Sequence, residues 1–171
     1  MDILDVRKLL PQQPPILMLD RVVEIEPGVS GIGQRSFKHG DACFAGHFPW
    51  RPMLPGVLMI EALAQTALVV LMAEHADELE SAGPDLPLGY LARVQEMSFQ
   101  RPIEPGQDVS FEIRVEKRLG QFTVVDGRVT RGGELCAKGK LAVAMDRKQL
   151  EEALARRREK GPGTAPQEGE R

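Results

Sequence analysis

The chain has 171 residues, enough for one domain with a sizeable core, in an ordinary globular composition. A net charge of −3 argues against a nucleic-acid partner. Two cysteines, Cys43 and Cys136, exclude a disulfide scaffold and point to a reducing, cytoplasmic setting. The N-terminus MDILDVRKLL mixes charges every few residues and lacks the apolar run of a signal peptide.

In chain order, Asp2–Leu10 spaces apolar residues as a short amphipathic helix, stopped by Pro11. Ile16–Glu26 predicts a strand ended by Pro27-Gly28, and Ser30–Lys38 a second strand pairing back on it. Gly31 and Gly33 inside that second strand signal a bulge or a close approach. Residues 39–52 predict loop, and Gly56–His75 a long helix with Pro55 at its start. Residues 81–87, rich in Gly and Pro, predict a turn region. Strands follow over Leu88–Phe99, Asp108–Leu119, Gln121–Arg131 and Glu134–Ala144, joined by short turns that favour antiparallel pairing. Val109, Phe111, Ile113 and Val115 alternate with Ser110, Glu112, Arg114 and Glu116. Residues 1–146 therefore read as one α+β domain, an antiparallel sheet wrapped around one long central helix. Residues 147–171 read as a charged tail, a frayed helix followed by disorder.

Met53–Met72 is apolar enough to raise a transmembrane reading, but Pro55, Glu61 and Gln65 interrupt it, so no membrane span is expected. A helix wrapped by a sheet is apolar all round for the same reason.

Reactive side chains concentrate in FAGHFPWRPMLPGVLMIEALAQ, Phe44–Gln65. His47 stands in a loop stiffened by glycine and proline, as a general base requires. Glu61 lies among apolar neighbours, where a carboxyl group can keep a proton near neutral pH and act as a general acid. Gln65 is one turn further on, on the same helix face. Gly56 at the helix start offers an unobstructed N–H to a developing oxyanion. His39, Cys43 and His47 are four apart, but such spacing aligns ligands only on a helix, so no metal is expected. No dinucleotide fingerprint or nucleophile elbow is present, and the cysteines have no activating pattern.

These residues resemble the FabZ-type (3R)-hydroxyacyl-[acyl-carrier-protein] dehydratases of type II fatty-acid synthesis, which are hotdog-fold domains. The resemblance covers Leu10–Met145. It is carried by LPQQPPILMLDRV, by GHFPWRPMLPGVLMIEALAQ and by FQRPIEPGQDV, and Glu61 stands where the isomerase-type branch has aspartate. It implies that His47 takes the C2 proton, Glu61 protonates the departing hydroxyl, Gly56 polarises the thioester carbonyl and Gln65 orients Glu61. It further implies a pocket lined by Phe48, Trp50, Pro55 and Val57, and no cofactor. The implied partners are an acyl carrier protein and a second copy of the chain sharing its active sites, with trimers of dimers in many members. Departures are Gln12 for a common histidine, Pro14 near an expected aromatic, and Trp50-Arg51 for small and polar residues. A hotdog thioesterase and a non-catalytic acyl-binding hotdog subunit are the alternatives.

Overall fold

The segment GVLMIEALAQTALVVLM has one carboxylate and otherwise almost only apolar side chains, so it is stable in water only when covered on nearly every face. It forms helix α2, Gly56–Met72. The computed structural model describes residues 3–4, 6–79 and 88–160, and in it α2 is enclosed by a single antiparallel sheet. Every residue from Ala62 to Met72 is buried, whereas Val57 in the first turn is 69% exposed. Among the described residues, Gly56–His75 is the one helical stretch long and apolar enough to cross a membrane, and most of it is interior.

The sheet comprises β1 (Ile3–Leu4), β2 (Arg21–Glu26), β3 (Ser30–Ser36), β4 (Gly89–Phe99), β5 (Asp108–Leu119), β6 (Phe122–Arg131) and β7 (Glu134–Met145). Their spatial order is β1-β2-β3-β5-β6-β7-β4, with every neighbouring pair antiparallel. The predicted alternation sets the inner face of β5. Val109, Phe111 and Ile113 are buried against α2, while Glu112 and Arg114 point away. The glycines of β3 mark a close approach. A Cβ on Gly33 would lie 2.2 Å from Thr66 Oγ1, and one on Gly31 2.6 Å from a methyl of Val70. Glycine there lets the strand backbone ride directly on the helix.

Three segments differ from expectation. The N-terminal helix is only α1, Val6–Leu9, because Ile3 and Leu4 pair instead with Val23 and Val22. The strand expected from Ile16 starts at Arg21: Met18 N–H and the Ile16 carbonyl bond to the Gln65 side chain rather than to a ladder. Beyond α2 the chain tightens into a 3₁₀ turn, Ala73–His75, and the short α3, Ala76–Leu79. The helix expected over Gln149–Lys160 is present as α4, Arg147–Lys160. Its Ala153 and Leu154 are buried, and Arg158 pairs with Glu78 of α3 at 3.0 Å. The turn expected over 81–87 and the disorder expected over 161–171 lie outside the described residues.

Candidate active site

His47 lies on the loop between a 3₁₀ turn, Ala42–Phe44, and α2. Its own N–H donates to the Phe44 carbonyl at 3.2 Å, and its carbonyl accepts from Met53 N–H at 2.8 Å. The ring Nδ1 lies 3.0 Å from the Met53 carbonyl. A carbonyl oxygen only accepts, so Nδ1 carries the hydrogen and Nε2 presents its lone pair as the basic atom. The loop is anchored outward by Leu54 N–H donating to the Ile103 carbonyl at 2.8 Å.

Glu61 is half-buried on α2, and Gln65, one turn on, is fully buried. The Gln65 amide nitrogen donates to Glu61 Oε1 at 2.7 Å and to the Ile16 carbonyl at 2.8 Å. Its oxygen accepts from Met18 N–H at 2.9 Å. Both amide hydrogens are thus used, and the side chain has one orientation. Glu61 is held by one oxygen and keeps the other free. The sequence placed Gln65 beside Glu61; the latch onto Ile16 and Met18 was not legible. The available signal was chemical: a glutamine inside an apolar helix must find partners for its amide, but sequence does not name them.

Gly56 opens α2 behind Pro55, with no side chain capping the helix. The Leu58 and Met59 N–H groups reach the Pro55 carbonyl, so the Gly56 N–H is left without an intrahelical acceptor. A Cβ on Gly56 would lie 2.8 Å from the Phe99 ring. A side chain there would have to displace the half-exposed Phe99 ring of β4.

Of the expected pocket residues, Phe48 stacks on His47, Pro55 caps α2, and Trp50 and Val57 lie on the surface. None of them lines the described cavities, the largest of which, about 530 Å³, sits on the outer sheet face between Glu24, Glu112 and Arg128. His47 and Glu61 make no hydrogen bond or ion pair with each other among the described residues. What one chain brings together is Glu61 with Gln65 on the helix, and His47 with Phe48 on the loop. Burial pushes the Cys43 and Cys136 thiols above their ordinary range, so neither is primed as a nucleophile. Among the described residues no group of three His, Cys, Asp or Glu side chains is arranged to hold a metal.

One antiparallel sheet wrapped on one long helix is the hotdog arrangement. The dehydratase heterocomplex ApeI:P from Xenorhabdus doucetiae shares this fold with a TM-score of 0.67, over 87% of this chain and 96% of that one, at 20% identity. The family model described as FabA-like domain matches residues 10–140, and the chain belongs to that family. It is 36% identical over 151 residues to the 3-hydroxyacyl-[acyl-carrier-protein] dehydratase FabZ of an Anaeromyxobacter species, covering 87% of this chain and 93% of the relative. The FabZ of Campylobacter curvus is 32% identical over 140 residues, covering 82% and 94%.

Proposed function

We propose that this chain dehydrates (3R)-3-hydroxyacyl thioesters of acyl carrier protein to trans-2-enoyl thioesters in fatty-acid biosynthesis, as its FabZ relatives are named for doing. The observation that carries the reading is the Gln65 latch. A fully buried amide fixes Glu61 by one oxygen at 2.7 Å and leaves its other oxygen free to carry a proton.

His47 Nε2 removes the proton from C2, and the electron pair moves into the thioester carbonyl. The Gly56 N–H, at the positive end of α2, stabilises the oxygen as charge develops there. Collapse of the enolate forms the C2–C3 double bond and expels the C3 hydroxyl, which takes a proton from Glu61 and leaves as water. Protonated His47 and ionised Glu61 remain, and transfer of that proton resets the site. The reaction is redox-neutral and two side chains supply both proton transfers, so no cofactor is invoked.

The site is shared, in this reading, between two copies of the chain, His47 from one and Glu61 from the other. Two features support it: among the described residues the pair makes no hydrogen bond or ion pair within one chain, and β4 ends the sheet as an open edge. Tyr90, Leu91, Val94 and Phe99 of that strand are exposed apolar residues, beside the exposed Phe48 and Val57. A long apolar edge left open is an aggregation hazard that a second copy would remove. The acyl chain would then run between subunits past Phe48, Pro55 and Val57. Further assembly into trimers of dimers and a cytoplasmic location complete the proposal.

The test is mass spectrometry of 3-hydroxybutyryl- and 3-hydroxydecanoyl-carrier protein with wild type and with His47→Ala. Loss of one water, absent in the variant, is the expected result. Hydrolysis to free carrier would instead identify a thioesterase, and acyl-carrier binding with no mass change in either direction a non-catalytic subunit.

A further inference from the structure

The row of rings that begins at His47 continues outward. His47 and Phe48 stack with centroids 4.3 Å apart and planes 23° from parallel; Phe48 and Trp50 follow at 6.1 Å and 19°. Trp50 is the sole tryptophan of the sequence and is 84% exposed. So large an apolar ring left in water at a stacked position calls for a reason. Its backbone is held. Phe48 N–H donates to the Arg51 carbonyl at 3.2 Å and Arg51 N–H returns to the Phe48 carbonyl at 3.1 Å, with Pro49 fixing φ inside the turn.

We propose that Trp50 is a positioning residue for His47, acting through Phe48; the inference rests on His47 being the base. The imidazole is held at one edge by a single hydrogen bond, Nδ1 to the Met53 carbonyl. The directional preference at a carbonyl oxygen is broad, so that bond fixes a point and leaves the ring plane free to tilt. Stacking on Phe48 removes the tilt. Within its own chain Phe48 is 41% exposed, so its ring needs a neighbour to limit its rotamers. Trp50 supplies that cover, from a turn closed in both directions. The ring row thereby sets the direction of the Nε2 lone pair, and small errors in the placement of a base cost rate rather than binding.

The experiment is steady-state kinetics on a 3-hydroxyacyl-carrier protein with Trp50→Ala, Trp50→Phe, Phe48→Leu and the double variant Trp50→Ala/Phe48→Leu. Trp50→Ala is expected to lower kcat roughly 3–10-fold with KM unchanged, the range set by one aromatic stack. Trp50→Phe, which keeps a ring, recovers most of the rate. In the Phe48→Leu background the Trp50 change adds little, because its effect passes through Phe48. As a readout free of turnover, Phe48→Leu shifts the emission of the single tryptophan. A rise in KM at constant kcat would overturn the proposal by making Trp50 a direct contact to substrate or carrier. Additive losses in the double variant, an unchanged kcat, or a changed oligomeric state on size-exclusion chromatography would overturn it too. His47→Ala run alongside keeps the two claims apart. If it retains the wild-type rate, the base assignment itself fails, whatever Trp50 does.

Discussion

From Ala62 to Met72, α2 is enclosed on every side, and its two polar side chains are satisfied internally: Thr66 donates to the Ala62 carbonyl, and Gln65 to Glu61 and Ile16. From Gly56 to Glu61 the same helix is only partly covered, with Val57 in the open and Leu58, Ile60 and Glu61 half-buried. The far end is built for burial, with β3 glycines that let the sheet touch the helix. The near end keeps its first amides and one carboxylate available. In the proposed reading one helix carries both the core and the chemistry, and Gln65 is where they join. It belongs to the buried stretch by exposure and to the site by hydrogen bonding.

That division can be broken at either end. The largest effect is expected at the open end, where His47→Ala and Glu61→Gln each slow dehydration by about 10²–10⁴-fold, as loss of a general base or acid does. Circular dichroism melting should leave both variants close to wild type; a melt lowered as far as that of a core variant would move these side chains into the structural half of the helix. At the junction, Gln65→Leu leaves Met18 N–H unpaired in the interior. Urea unfolding should register a loss of about 1–3 kcal/mol, the cost of one stranded buried group, together with slower turnover. A stable but slow variant would mean that Gln65 serves only the site.

The buried end is sharpened by Gly33→Val. A side chain there drives into Thr66 and Leu19, and overpacking of this kind costs about 1–3 kcal/mol, read from the denaturation midpoint. The smallest effect lies on the outer sheet face, where Lys140 and Glu116 pair in the open at 2.8 Å. The lysine's hydrogen bond holds the Glu116 carboxyl below its ordinary range, and Glu116 in turn holds Lys140 above its own. A depressed carboxylate loses its contribution as pH falls through its folded value, and a raised lysine as pH rises through its own. Lys140→Ala should therefore leave the neutral-pH melt almost unchanged, since exposed pairs contribute little, and flatten its decline at acid pH slightly.

Most of the sheet was legible because strand signals in this chain are local. Asp108–Leu119 shows its alternation and ends at a glycine, and the observed β5 has those bounds. The start of α2 was legible from Pro55-Gly56. What failed was decided at long range. Ile16–Leu19 carries strand-like residues, yet a side chain 49 positions away takes its backbone partners. Ile3-Leu4 looked helical by spacing but found a free strand edge in β2. The helix expected over Gln149–Lys160 is present as α4, and only the burial of its Ala153 and Leu154 was hidden by its charges. In the site, His47, Glu61 and Gln65 stood out as polar groups in apolar or stiffened surroundings. Phe99 behind Gly56 and Met53 behind His47 did not, because nothing in a strand phenylalanine or a loop carbonyl marks its target.

The central claim is that His47 of one copy and Glu61 of another make one dehydratase site. It is tested most directly by mixing the two inactive variants, His47→Ala and Glu61→Gln, under conditions that exchange subunits. Half of randomly exchanged dimers are mixed, and each holds one intact site, so dehydration should return to about one quarter of the wild-type rate. If exchange is verified by mass spectrometry and no activity returns, the two residues do not act across subunits and the shared site is wrong.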